Sequence, residues 1–78
     1  MTWIKCTDRM PPEYSICLIT IEMKYDWEDK VERDVDLAQY KPGEGGIDGD
    51  WETTNDWDEG QQHIKVTHWM PMPRPAED

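Results

Sequence analysis

The apolar positions alternate in short runs separated by turn residues, the period of half-buried strands. Ile16 to Met23, "ICLITIEM", is the strongest run. It is β-branched and apolar, contains no breaker, and predicts a central strand. Cys17, Ile19, Ile21 and Met23 fall on one face; Ile16, Leu18, Thr20 and Glu22 fall on the other. Both faces are apolar at its start, so both are expected to be covered there. Val31 to Tyr40, "VERDVDLAQY", also alternates. Its apolar members place Val31, Val35 and Leu37 inward, in register with Arg33 and Gln39, and leave Glu32, Asp34, Asp36 and Ala38 outward. A short helix is the rival reading, since Val31, Val35 and Ala38 also fit helical spacing. Asp is a poor helix former and no cap precedes the run, which favours strand.

Shorter runs complete the pattern. Residues 1–6 predict a strand anchored by Trp3 and Ile4, followed by a Pro11-Pro12 stop. Trp51 to Trp57 predicts a short strand and His63 to Met70 the last one. On that last strand simple alternation groups Ile64, Val66 and His68 against Lys65, Thr67 and Trp69, and puts His63 and His68 on opposite faces. Lys41 to Asp50 holds four of the five glycines and predicts a loop. Pro71, Pro73 and Pro75 end the pattern in a stiff tail over residues 71–78. The expected fold is all-β or β-rich α+β: one small domain over residues 1–78, a twisted antiparallel sheet of four to five strands, open or barrel-like, closed by its first and last strands.

Composition shifts the weight onto tryptophan. In 78 residues there is no Phe and there are five Trp, so Trp3, Trp27, Trp51, Trp57 and Trp69 are expected to carry much of the core. The net charge of −10 is regional. Residues 26–59 hold thirteen acids against three bases, which accounts for all of it. That imbalance argues against direct nucleic-acid binding, because phosphates require cationic contacts. It favours a basic partner surface. The start of the chain lacks a signal peptide's apolar core, and no run reaches membrane length. The expected setting is the cytoplasm of a host cell, with no membrane partner and with Cys6 and Cys17 as thiols.

The two ends of the chain carry a recognisable pattern. Trp3-Ile4 with Asp8-Arg9-Met10-Pro11, and Thr67-His68-Trp69-Met70-Pro71 with Pro73, resemble domain of unknown function 551, a small-domain family found widely in phage and prophage genomes. The resemblance implies a phage or prophage accessory gene and no activity. The acidic centre departs from the family's less acidic middle.

Chemistry at His68 has little support: no nucleophile motif accompanies it, and an architectural clasp in which the last strand pairs with Trp3–Lys5 fits better. Cys6, Cys17, His63 and His68 are zinc-ligand types without zinc spacing. The loop from Asp48 to Glu59 matches an EF-hand at Asp48, Asp50, Glu52 and Glu59, but Thr53 stands where glycine is required. "MPMPRP" lacks the PxxP spacing of a polyproline ligand. No catalytic residue, metal or cofactor is therefore assigned.

The acidic centre is the candidate binding face: Asp26, Trp27, Glu28, Asp29, Glu32, Asp34, Asp36, Asp48, Asp50, Trp51, Glu52, Asp56, Trp57, Asp58 and Glu59. Glu32, Asp34 and Asp36, two apart on one strand face, make a row spaced roughly 6.6 Å. Trp27, Trp51 and Trp57 would supply anchors. The expected function is a non-enzymatic inhibitor that blocks a basic, nucleic-acid-binding site on a host defence protein, in the manner of a nucleic-acid mimic. The alternative is a structural or accessory phage module whose acidity serves solubility.

Overall fold

The computed structural model describes residues 2–57 and 62–77, with the side chain of Gln62 left aside. It is one antiparallel sheet of β1 (Ile4–Lys5), β2 (Ile16–Tyr25), β3 (Val31–Tyr40), β4 (Trp51–Thr53) and β5 (Gln62–Pro71). The strand order is β1-β5-β2-β3-β4. The all-β expectation holds, and the first and last strands do pair, Ile4 opposite Trp69 and Lys5 opposite His68. The sheet nonetheless stays open, because β1 and β4 occupy opposite edges. The stretch 31–40 is a strand, and no helix occurs among the described residues.

β2 lies at the centre and packs as its alternation predicts: Cys17, Ile19, Ile21 and Met23 are buried. The facing of β3 is the reverse of expectation. Residues directly opposite in an antiparallel pair share a face. Register puts Ala38 opposite Cys17 and Asp36 opposite Ile19, so both turn into the core. Val31 and Val35 are left exposed on the other face. The hydrophobicity of two valines is outweighed by a register that nine paired residues of β2 enforce.

β5 is corrected by a bulge. His68 pairs with Thr20 but Val66 with Ile21, so Thr67 is an extra residue. One inserted residue inverts the alternation beyond it. Trp69 thereby joins Ile64 and Val66 in the core, and His68 moves to the face that also carries His63. The indole of Trp69 donates to the carbonyl of Arg9 at 2.9 Å, which ties the "DRMPP" turn to the last strand. Trp3 is exposed and forms no ring pair with Trp69.

The core face is closed by the 41–50 loop and the segment after β4. Ile47 and Trp51 are buried there, with Trp57 and Tyr40 packed against them. The rings of Tyr40 and Trp51 lie 5.0 Å apart, tilted by 46°. The loop doubles back through Gly46, which has φ +81° and lies against the Trp51 carbonyl. Two of the five tryptophans, Trp51 and Trp69, are core residues; Trp27 is fully at the surface.

Candidate functional site

The end of the β2–β3 hairpin is the most exposed part of the acidic centre. The last rung pairs Lys24 with Val31, and the amide of Glu28 bonds back to the Tyr25 carbonyl at 3.3 Å. From Asp26 to Asp34 every residue is exposed, with five acids against Lys30 and Arg33. Trp27 is 62% exposed. Its ring stacks on Tyr25, centroids 5.0 Å apart and planes 28° apart. Its indole N–H reaches the Glu28 carboxylate at 3.3 Å. The stack gives a large exposed aromatic a fixed orientation, which lowers the ordering cost of binding through it. Asp26 holds the His63 ring of β5 at 2.5 Å, and Arg33 lies 3.4 Å from Glu22. Among the described residues Glu32 meets Lys30 at 3.9 Å, and Glu28, Asp29 and Asp34 form no ion pair.

The expected row of Glu32, Asp34 and Asp36 is divided. All three share a face, but Asp36 is only 6% exposed and lies inside. It accepts from the Trp57 indole at 2.8 Å, the Thr54 hydroxyl at 2.7 Å, the Asn55 side chain at 3.2 Å and the Leu37 amide at 2.7 Å. Burial alone would raise its pKa; the hydrogen bonds from Trp57, Thr54, Leu37 and Asn55 outweigh that and hold it below the usual value. Asp34 accepts from the amide of Val35 at 2.7 Å, as Asp36 does from Leu37. β4 pairs with β3 only from Ala38 onward. The two aspartates thus occupy amide donors on a sheet edge that would otherwise invite another strand.

The second acidic segment is also largely structural. Asp48 accepts from the Val66 amide at 3.0 Å, satisfying a donor on the edge of β5 next to its bulge. Its backbone has φ 53°, a conformation Asp tolerates. Asp50 accepts from the Gly43 amide at 2.8 Å, and Glu52 pairs with Lys41. Asp48 and Asp50 therefore serve the loop's own backbone. Trp51, at 1% exposure, is a core residue and offers a partner no surface. Trp57 is half-buried and bonded to Asp36. A cleft of about 490 Å³ opens beside β4, floored by Trp51 and Trp57 and rimmed by Glu52 and Asp56. Asp58 and Glu59 lie outside the described residues.

Two contributors escaped the sequence reading. Tyr25 is the platform for Trp27, and the signal was present, since residues two apart at a strand end share a face. His63 joins through Asp26 from a strand 37 residues away, for which no local signal exists. The zinc-type residues do not converge: Cys6 and Cys17 pack with the core, whereas His63 and His68 sit on the opposite face. Among the described residues no group of three or more His, Cys, Asp or Glu is placed to hold a metal. The His68 ring bonds the neighbouring Thr67 hydroxyl at 2.8 Å. No helix among the described residues is long and apolar enough to cross a membrane.

Comparison with known proteins returns one family, described as "Protein of unknown function (DUF551)", which matches over residues 2–77. The chain belongs to it. No curated protein and no solved structure matches.

Proposed function

We propose that this DUF551 chain is a non-enzymatic binding protein whose β2–β3 hairpin end engages a basic surface on another protein. One observation carries the reading: an oriented, largely exposed Trp27 stands among five exposed acids at the end of a two-stranded arm. Tryptophan is enriched among the residues that carry most of a binding energy. The surrounding carboxylates would steer a cationic partner and set its orientation. Asp26, Glu28, Asp29, Glu32 and Asp34 are the acids of this surface.

The finer reading is an inhibitor. A basic groove built for phosphates would accept the hairpin's carboxylates. The phage or prophage origin that the sequence resemblance implies points to a nucleic-acid-binding defence protein in the host cytoplasm as the target. The mimicry is of charge at a hairpin end and no longer of a three-carboxylate strand row, since Asp36 lies inside.

The test is binding to purified host defence nucleases as salt is raised, with Trp27→Ala and with a Glu28→Gln, Asp29→Asn, Glu32→Gln variant. The reading expects affinity to fall with salt and with either variant. A complex indifferent to both would sink it. The accessory-module alternative has its own support, since Asp34, Asp36, Asp48 and Asp50 bind the protein's own backbone. Affinity capture that returns only phage proteins or the chain itself would favour that alternative.

A further inference from the structure

The face of the sheet turned away from the core has an unusual composition for a surface. Its β2 and β3 rows carry Ile16, Leu18, Val35 and Leu37 at one end. Ile16 is 57% and Val35 52% exposed, with Leu18 and Leu37 half-buried between them. The loop and Trp57 close the opposite face; on this one Met70, opposite Leu18, is buried, and Ile16 and Val35 are not. Toward the hairpin end the same face turns basic. Lys5 opposes His68, Lys65 opposes Glu22, and Lys24 opposes His63, with Arg33 beside Glu22.

Charge therefore divides the molecule. This face presents Lys5, Lys24, Arg33 and Lys65 against Glu22, Glu52 and the Asp26 carboxylate held on His63, in a chain of net charge −10. All three acids are already paired, Glu22 with Arg33, Glu52 with Lys41 and Asp26 with His63. Among the described residues no carboxylate lies within ion-pair distance of Lys5, Lys24 or Lys65. A shallow cavity of about 180 Å³ beside the bulge lies between Lys5, Lys65 and His68, with Cys6 and Val66 also in its lining and Asp48 bonded to the Val66 amide.

We propose that this open face is a second docking surface, for a protein segment that is both apolar and acidic. The apolar strip of Ile16, Leu18, Val35 and Leu37 takes the segment's apolar side chains. Lys5, Lys24 and Lys65 take its carboxylates. A second copy fits poorly, because its matching face brings the same four bases. Nucleic acid would satisfy the lysines and leave the apolar strip against water. The surface adjoins the acidic hairpin end at Arg33 and at the Asp26–His63 contact, but its lysines and apolar strip lie apart from Trp27 and the carboxylates around it.

Amide NMR of the full chain, titrated with an amphipathic helical peptide of Leu and Glu, tests this. The controls are the matching Leu/Lys peptide, a short DNA duplex, and ultracentrifugation of the protein alone. The proposal expects shifts at Leu18, Thr20, Val35, Leu37 and Lys65 with the Leu/Glu peptide only, on a monomeric protein. Lys24→Glu with Lys65→Glu should weaken that binding by about three- to tenfold. Val35→Glu, at an exposed position that leaves the core intact, should abolish the shifts. The idea is overturned by no shifts, by equal response to the Leu/Lys peptide or DNA, or by a dimer that Val35→Glu dissociates.

Discussion

The indole of Trp57 donates to the carboxylate of Asp36 at 2.8 Å, joining the segment after β4 to a buried position on the middle of β3. That contact converts an expected surface acid into an anchoring point. It gathers Thr54, Asn55 and Trp57 around one anion and so fixes the route of the chain that covers the core.

Removing that acceptor should be costly. Asp36→Ala strands several donors at once, and hydrogen bonds to a charged group contribute about 1.5–3 kcal/mol. A loss of about 3 kcal/mol in urea unfolding is expected, with Trp57→Phe losing roughly half as much. If Asp36→Ala unfolds at the wild-type midpoint, the anchoring role is wrong.

The same group sets an acid limit. Its folded pKa lies below the usual 3.8, because the four donors outweigh burial. Its stabilisation is then complete above pH 3.8 and is lost as pH falls through the lower folded value. Urea midpoints taken down to about pH 2 should drop less steeply in Asp36→Asn than in the wild type. Parallel curves would place the acid sensitivity elsewhere.

Gly46 is predicted to be irreplaceable. A Cβ there would lie 2.1 Å from the Trp51 carbonyl oxygen, at a φ of +81° that side chains rarely adopt. The neighbour is backbone, held by the Ile47 amide at 3.0 Å, and cannot turn aside. Gly46→Ala should cost about 2 kcal/mol or more. Gly43→Ala, with open space around it, should cost less. Thermal melts of the pair decide the point.

The thiols should be sluggish in the native protein. Burial and the nearby Cys6 push Cys17 up to about 11, and burial with Asp48 raises Cys6. Near neutral pH neither is appreciably thiolate, the reactive form. A thiol reagent should modify half-buried Cys6 before Cys17, and both rapidly only in denaturant. Immediate reaction of two thiols in the folded state would contradict the packing.

How far the sequence reached depended on whether a feature was local. β2 and the bounds of β3 were legible because their side-chain pattern is their own. The pairing of the last strand with Trp3–Lys5 was legible from the motif at the two ends; its register, Ile4 opposite Trp69, was not. The facing of Asp36 was not, because its partners Thr54 and Trp57 follow 18 and 21 residues later and register with Ile19 decides it. The bulge at Thr67 was invisible to alternation, since it shows only in the register of β5 against β2, which lies far earlier in the chain. Of the candidate site, the hairpin end survives as a surface, whereas Trp51 and Asp36 proved to be core.

The central claim rests on Trp27 and the acids around it. The most direct measurement is calorimetric affinity for a basic host nucleic-acid-binding protein, comparing wild type with Trp27→Ala. Loss of a hot-spot Trp typically costs 2 kcal/mol or more, so Kd should rise by about thirtyfold while the melting temperature stays unchanged. An unchanged Kd would show that the hairpin end is not the binding surface.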